Sequence, residues 1–356
     1  MNTPRSKGPL SGVKVLDLCS VVSGPMAAVI LADQGADVIK VEPPGWGDGI
    51  RQLGASRNGL SAIFAMINRN KRSIGLDLKH PEGSKLAFAL SQNVDVVMQN
   101  YRPGKMDKLG LGYDDLKLGH SDLIYASISG MGEIGPYAEQ RVYDYVVQGI
   151  SGVTDAQSTG KPTMVRTIIY DKVTAIIAAQ GITAALFAKA NGAGGQHVRL
   201  SMLDAGLYFN WPDLMWNYSF QDADNQQSGD LADMYEISKT RDGYIVSHHL
   251  GADTSSYGTD EIIDLLTENG IPVAKANSRA EVMNDPQVLA MNTIEQSYHP
   301  RGGHMLMPRA PLRFEGTPTK PHLVSPEVGE HTVEILKGLG LSLDEMNSLA
   351  KEGAIG

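Results

Sequence analysis

The residues from Val13 to Glu42, VKVLDLCSVVSGPMAAVILADQGADVIKVE, decide the fold. They contain two apolar runs and a helical stretch between them, namely Val13 to Leu18, Ala36 to Glu42 and Met26 to Gln34. A strand, a helix and a second strand in this order predict a βαβ unit with parallel strands and a right-handed crossover. Ser23 is expected to cap the helix, and Pro25 suits its first turn.

The alternation of strands and helices continues along the chain. Further predicted strands are Ser73 to Leu78, Val94 to Gln99, Leu123 to Ser129 and Gln196 to Met202. Further predicted helices are Pro81 to Gln92, Tyr145 to Val153 and Lys172 to Lys189. The sequence therefore predicts an α/β fold, an open, mostly parallel, Rossmann-like sheet with helices on both faces.

The length and the polar stretches predict the domain organisation. A chain of 356 residues is long enough for about two domains. The polar stretch Gln221 to Asp230 is the best candidate for a boundary. We therefore expect a large α/β domain over residues 1–222, a smaller and shortened α/β domain over 223–280, and a segment over 281–356 that returns to the large domain.

Composition narrows the class of protein. Hydrophobic residues make up 42% and charged residues 20%, as in ordinary globular proteins. The apolar stretches are shorter than the ~20 residues of a membrane span. Residues 1–9 carry Arg5 and Lys7 without an apolar core behind them, so we expect no secretory leader, no membrane partner and a cytoplasmic location. The single cysteine, Cys19, excludes an internal disulfide and a cysteine-rich zinc site, and no metal is expected.

The distribution of charge is uneven. The net charge is −9, which argues against a nucleic-acid partner. Between Lys40 and Lys108, however, eleven basic and six acidic residues give a net charge of +5. A local positive field on an acidic protein suits a small phosphorylated ligand, and a set of solvated faces is the alternative interpretation.

Two motifs point away from other classes of enzyme. Gly130-Met-Gly-Glu-Ile-Gly135 fits the dinucleotide pattern G-x-G-x-x-G, but Pro136 follows it and no helix opens there. We therefore interpret it as a glycine-rich turn. His248 and His249 are adjacent on a predicted strand, so their side chains should point to opposite faces and not share a metal.

Asp171 directly precedes the apolar face of a predicted helix. This spacing predicts an N-cap, a role for which aspartate is among the preferred residues. A helix N-terminus also favours the ionised carboxylate. Such a carboxylate in a dry pocket is a competent nucleophile toward an activated acyl group. Spacing alone leaves both roles open.

Seven sequence blocks carry a resemblance to a known family. In chain order they are Pro9-Leu-Ser-Gly-Val-Lys-Val-Leu-Asp17, Ser23-Gly-Pro25, Gly35-Ala-Asp-Val-Ile-Lys-Val-Glu-Pro-Pro44, Asn70-Lys-Arg-Ser73, Asn100-Tyr-Arg-Pro-Gly104, Gly130-Met-Gly-Glu-Ile-Gly-Pro-Tyr137 and Gly195-Gln196. Together they resemble the class III CoA-transferase family (CaiB/BaiF), which includes formyl-CoA transferase and alpha-methylacyl-CoA racemase relatives. The similarity runs over residues 9–250 and 259–315.

The resemblance implies a function and its residues. It identifies Asp171 as the catalytic aspartate, which would form an acyl anhydride and then an aspartyl-CoA thioester. Coenzyme A would be a substrate, with no permanently bound cofactor, and the partners would be an acyl-CoA, a carboxylic acid and a second copy in an interlocked homodimer. The implied CoA-binding residues are Val21, Val22, Ser23, Lys40, Arg51, Lys71, Arg72, Asn100, Tyr101, Arg102, Lys105 and Tyr143.

The departures from the family pattern bear on the reaction. Racemase relatives have a His-Asp dipeptide where this chain has Tyr143-Asp144, and a glutamate where Ala252 aligns. A phenol with a pKa of ~10 is a poor base at neutral pH, so the transferase is favoured. A racemase that uses His248, His249 or Asp253 is the alternative, and a non-catalytic CoA binder is a third. The chain is also shorter than typical members between Gly251 and Thr259, which removes most of a glycine run that closes over the intermediate in related transferases.

Overall fold

A computed structural model describes residues 8–158, 160–222, 224, 226–319 and 323–356. Arg5 and Lys7, and the predicted domain boundary at Ala223, lie outside these residues. The strands are β1 (Lys14–Asp17), β2 (Asp37–Glu42), β3 (Ser56–Arg57), β4 (Leu60–Ser61), β5 (Lys71–Gly75), β6 (Val96–Gln99), β7 (Ile124–Ser129), β8 (Gln196–Ser201), β9 (Tyr235–Lys239), β10 (Tyr244–His248), β11 (Val273–Lys275), β12 (Ile294–His299) and β13 (Gly303–Pro308). The helices are α1 (Ser23–Asp33), α2 (Ala62–Ile67), α3 (Pro81–Ser91), α4 (Tyr113–Leu116), α5 (Asp144–Ile150), α6 (Val153–Ala156), α7 (Ile169–Ala190), α8 (Met202–Leu214), α9 (Thr259–Glu268), α10 (Pro286–Ala290), α11 (Thr332–Gly338) and α12 (Leu343–Lys351).

The main sheet has six parallel strands in the order β5-β2-β1-β6-β7-β8. The chain builds outward from β1 in one direction through β2 to β5, and then returns to place β6 on the other side of β1. This confirms the predicted α/β class and the parallel βαβ unit. The reversal between β1 and β6 is a topological switch point, where such sheets commonly bind ligands beyond the carboxyl ends of the strands.

Alternating side chains divide the core into two layers. Leu16, Val97 and Tyr125 face one side of the sheet, where they pack with residues of α3, α11 and α12. The neighbouring residues Val15 and Val96 face the other side, where they pack with α1 and α7. Because successive strand residues point to opposite faces, continuous apolar runs of this kind indicate a sheet covered on both sides.

The chain divides into two compact units. One holds the chain up to Phe209 together with Gln296–Gly356, and the other is Asn210–Glu295. In the second unit, β9, β10 and β11 form an antiparallel sheet. Ile245 of this sheet packs against Ile262 and Leu266 of α9.

Helix α7 connects the sheet to the candidate site. It has 22 residues and is the one helix in the described part of the chain that is long and apolar enough to cross a membrane. Its small side chains, among them Ala175, Ala178 and Ala179, pack in the core with α1 and the sheet. That packing is typical of a core helix.

The predicted cap of α1 is wrong. Ser23 is the first helical residue, the N-cap position belongs to Val22, and no side chain caps this helix terminus. Pro25 lies in the first turn as predicted. The Ser23 N–H group is free of the helical ladder because the first N–H groups of a helix have no intrahelical acceptor.

Candidate active site

A pocket of about 120 Å³ lies at the switch point of the main sheet. The loop after β1, the loop after β6 and the segment after β7 line it, together with Asp171 of α7 and Met202 of α8. Eight of the residues that sequence reasoning assigned to the site line this pocket, namely Val21, Val22, Ser23, Asn100, Tyr101, Arg102, Tyr143 and Asp171. The lining residues Gln140, Ser129 and Met202 were not anticipated, because each is an ordinary polar or apolar residue without a motif.

Asp171 is the third residue of α7, whose N-cap is Ile168. The predicted N-cap role of Asp171 is therefore wrong, because α7 begins at Ile169, two residues before Asp171. The residue is 8% exposed and lines the pocket. Ser23 lines the same pocket, and its backbone N–H group acts on the Asp171 carboxyl group.

The electrostatic surroundings of Asp171 raise its pKa. Burial is the largest cause and the nearby Asp144 is the second, and together they bring the pKa from 3.8 to about 6. The Ser23 N–H group and Lys172 act in the opposite direction and are weaker. The pKa of Asp171 is consequently higher than that of an ordinary aspartate. The carboxyl group is still mainly ionised at neutral pH.

Asp144 supplies the carboxylate that the α7 terminus binds. Its Oδ2 atom accepts the Tyr170 N–H group at 2.6 Å and the Asp171 N–H group at 3.3 Å. Its Oδ1 atom accepts from Gln148 Nε2 at 2.5 Å. The side chain of Asp144 is buried. Two carboxyl groups thus lie at one helix N-terminus. Asp144 accepts its backbone N–H groups, and Asp171 lines the pocket.

Lys40 and Lys71, both predicted to meet phosphates, have no exposed surface. Lys40 Nζ lies 2.9 Å from Asp48 Oδ2, and Lys71 Nζ lies 2.9 Å from Asp17 Oδ2. In this structure neither ammonium group meets the solvent, so neither can contact a phosphate directly. The physical reason is that a buried ammonium needs a buried carboxylate, and each lysine has one.

Arg51, Arg72 and Lys105 also lie outside the pocket lining. Arg51 donates twice to Glu42, with Nη2 to Oε1 at 2.7 Å. Arg72 pairs with Asp37 and Glu334 near the surface. Lys105 is exposed on the loop that follows β6. Much of the positive charge counted in the sequence is therefore already paired within the protein.

A second, open pocket of about 440 Å³ carries exposed lysines. Lys79, Lys85 and Lys108 line it together with Ser84 and Phe88. Lys85 pairs with Glu82, whereas Lys79 and Lys108 have no ion-pair partner among the described residues. The stretch 100–110 begins at the first pocket and ends at this one. The count of basic residues included these lysines, but nothing in the sequence separated them from the paired ones.

The glycine-rich turn after β7 confirms the interpretation of the G-x-G-x-x-G motif. Gly132 and Gly135 have φ angles of 95° and 93°, which favour glycine, and no helix opens after them. Gly130 lines the pocket, and a Cβ atom there would lie 2.5 Å from Cβ of Val142. The motif thus lets two backbone segments approach each other beside the pocket.

The two histidines lie in the second unit. His249 Nδ1 is 2.7 Å from Glu236 Oε2, and the ring of His248 lies 5.5 Å from that of Tyr235. Across the part of the chain that the structure describes, no group of three or more metal-ligating side chains comes together.

Comparison with known proteins identifies the family. The model of CoA-transferase family III matches residues 10–254 and 246–332. The chain belongs to CoA-transferase family III. It is 33% identical to the succinate–glutarate CoA-transferase of Agrobacterium fabrum, covering 94% of this chain and 97% of the relative. It is 31% identical to the human succinyl-CoA:glutarate CoA-transferase, covering 92% and 85%.

A solved structure supports the same assignment. A CaiB/BaiF family protein from Brucella suis is 28% identical, with a TM-score of 0.81 over 93% of this chain and 99% of that protein. The family III fold therefore extends over nearly the whole chain.

Proposed function

We propose that this CoA-transferase moves CoA from an acyl-CoA to a carboxylic acid through covalent intermediates on Asp171. The observation that carries the proposal is the position of Asp171, which is buried and lines a pocket at the switch point together with Ser23. Pocket residues from the loops after β1 and β6 would surround the thioester end of the substrate.

The reaction proceeds in four displacements. A carboxylate oxygen of Asp171 attacks the thioester carbonyl, which gives a mixed anhydride and CoA thiolate. The thiolate attacks the aspartyl carbonyl, so the donor acid leaves and an aspartyl-CoA thioester forms. The acceptor carboxylate then displaces the thiolate to form a second anhydride, and the thiolate takes the acceptor acyl group and restores the Asp171 carboxylate. Covalent relay of this kind divides one difficult step into easier ones.

The pocket suits these steps physically. A pKa of about 6 leaves Asp171 mainly ionised at neutral pH while burial keeps it weakly solvated. The Ser23 N–H group favours the charged form of Asp171, and it would likewise stabilise the negative charge that develops when the thiolate attacks the aspartyl carbonyl. Exclusion of water protects the anhydride from hydrolysis.

We place the nucleotide end of CoA at the second pocket. Lys79 and Lys108 supply unpaired positive charge there, and the stretch 100–110 leads from this pocket to Asp171. Ammonium groups bind phosphate through charge-assisted hydrogen bonds.

The double variant Lys79→Ala/Lys108→Ala tests this placement. We expect KM for the acyl-CoA to rise about tenfold or more while kcat changes less than about threefold, because the lysines bind substrate and transition state equally. Lys117→Ala is the matched control, since Lys117 is partly exposed, pairs with Asp114 and does not line the second pocket. Equal KM values for the two variants would contradict the placement.

We also propose that the acceptor is a short dicarboxylic acid. The two relatives above are named for succinate, succinyl-CoA and glutarate, and the pocket is small and lined by Arg102. A guanidinium group binds a second carboxylate well because its donors match the two oxygens. A screen of short mono- and dicarboxylic acids against succinyl-CoA tests this, and equal rates with both classes would contradict it.

Asp144→Asn should shift the acid limb of the kcat/KM profile to lower pH. The negative charge of Asp144 raises the pKa of Asp171. Removal of that charge lowers the pKa, so the nucleophile becomes ionised at a lower pH. Asparagine keeps an oxygen for the Tyr170 N–H group. The profile is measured from about pH 4 to about pH 8, with the exposed Asp155 as the site of a control substitution to asparagine. An unchanged limb would show that the two carboxyl groups are not coupled.

The racemase alternative makes a different prediction. It requires acid and base groups on both faces of the α-carbon, and the residues that the sequence offers for this role are His248, His249 and Asp253. A racemase would introduce deuterium at the α-carbon in deuterated water without an acceptor acid. The transferase proposed here introduces none under these conditions.

We propose a homodimer as the functional state. Helix α7 exposes Ile176 by 57% and Phe187 by 72%, and large apolar side chains exposed on one helix are typical of an interaction surface. Light scattering on the purified protein should give twice the monomer mass, and a monomeric active enzyme would contradict the proposal.

A further inference from the structure

The loop between β1 and α1 holds a strained residue beside the active-site pocket. Val21 has a φ of 68°, in the left-handed region. A β-branched residue rarely adopts this conformation, because its side chain clashes with its own backbone there. The surrounding contacts must therefore hold the loop in place.

Asp48 provides the main contact. Its Oδ1 and Oδ2 atoms lie 3.0 Å and 3.2 Å from the backbone nitrogen of Val21, whose N–H group they accept. Oδ1 also accepts the Ile50 N–H group at 3.1 Å, and the Asp48 N–H group donates to Glu42 at 2.9 Å. The side chain is buried, so these bonds are not exchanged with water.

Two further side chains hold the same loop. Lys40 Nζ donates to Asp48 Oδ2 at 2.9 Å and to the Cys19 carbonyl oxygen at 3.1 Å. The Asn100 amide accepts the Ser20 N–H group at 2.9 Å and donates to the Ser20 carbonyl oxygen at 2.7 Å. The backbone from Cys19 to Val21 is thus held by Asp48, Lys40 and Asn100.

The loop ends at the pocket of the nucleophile. Ser23, two residues after Val21, lines the same pocket as Asp171, and its N–H group lowers the pKa of that carboxyl group. We propose that Asp48, supported by Lys40, is a positioning residue, because it fixes the strained Val21 loop and thereby aims the Ser23 N–H group at Asp171. This inference rests on the function proposed above.

Two double variants that have the same net charge test the proposal. Asp48→Asn/Lys40→Met and Asp48→Leu/Lys40→Met both remove the buried ion pair, and their residues at position 48 are similar in size. Only asparagine can still accept the Val21 N–H group. We expect kcat of the leucine variant to be at least about tenfold below that of the asparagine variant, because small displacements at a reacting centre are costly.

The pH profile separates positioning from a loss of stability. The Ser23 N–H group lowers the pKa of Asp171, whereas Asp144 raises it and Lys172 lowers it. Only the first contact depends on the loop, so the leucine variant should shift the acid limb of kcat to higher pH. Asp33→Asn is the control, because it breaks a buried pair with Arg69 and should lower Tm without moving this limb.

The outcomes are distinguishable. Equal kcat values and equal pH profiles for the two double variants would overturn the positioning role. Should the leucine variant not fold, Asp48→Ala/Lys40→Met replaces it in the same comparison. If Asp171→Asn retains activity, the proposed function itself fails, whatever the double variants show.

Discussion

Asp171→Asn is expected to lower kcat by on the order of 10⁴-fold or more, because the amide cannot attack a thioester and no other group replaces a covalent nucleophile. Asparagine keeps the shape of the side chain in the pocket. Wild-type enzyme incubated with acyl-CoA and then hydroxylamine should carry a hydroxamate on Asp171, detectable by peptide mass. The variant should carry none, and turnover near the wild-type rate would contradict the mechanism.

The same substitution is expected to stabilise the protein. Burial and Asp144 raise the pKa of Asp171 from 3.8 to about 6, so ionisation of this group opposes folding above the raised pKa. The difference corresponds to on the order of 2–3 kcal/mol. Asp171→Asn should therefore have the higher Tm above about pH 6, and the advantage should vanish below about pH 4. If Asp171→Asn had a lower Tm than the wild type at every pH, ionisation of Asp171 would not destabilise the folded protein.

The main sheet could be predicted because local patterns determine it. The pairs Val15–Leu16 and Val96–Val97 each send one apolar side chain to each face, and runs of this kind need helices on both sides. The bounds of single strands depend on their tertiary partners. Strand β5 spans Lys71–Gly75 and so begins two residues before the predicted run from Ser73. Its first two residues are charged, and they are in a strand because they pair with β2.

The chemistry of the lysines could not be predicted, because it depends on distant partners. Lys71 and Asp17 are 54 positions apart in the sequence and meet only when β5 and β1 lie in one sheet. Charge counting gives the same weight to Lys71, which is buried, and to Lys108, which is exposed. A family resemblance identified Asp171, but the coupling with Asp144 appears only when α7 is placed against α5.

Lys71→Met is expected to lower the free energy of unfolding by about 3–5 kcal/mol at neutral pH, because it leaves a buried carboxylate without its partner. Lys71 Nζ donates to Asp17, to the Pro25 carbonyl oxygen and to Asn68, at 2.8–2.9 Å. Burial raises the pKa of Asp17, but Lys71 and Lys40 outweigh it and hold the pKa below its ordinary value. Without Lys71 that pKa rises, so the loss of stability should diminish as the pH falls and Asp17 takes up a proton.

Chemical denaturation of two further variants separates a structural lysine from a ligand-binding one. Arg72→Met removes the neighbouring cation, whose partners are partly exposed, and should cost less than about 1 kcal/mol. Lys71→Met/Asp17→Asn removes both buried charges and should recover much of the lost stability. If Lys71 instead met the phosphates of CoA, Lys71→Met would raise KM and leave unfolding unchanged. That result would place the ligand against β5 and contradict the buried pair.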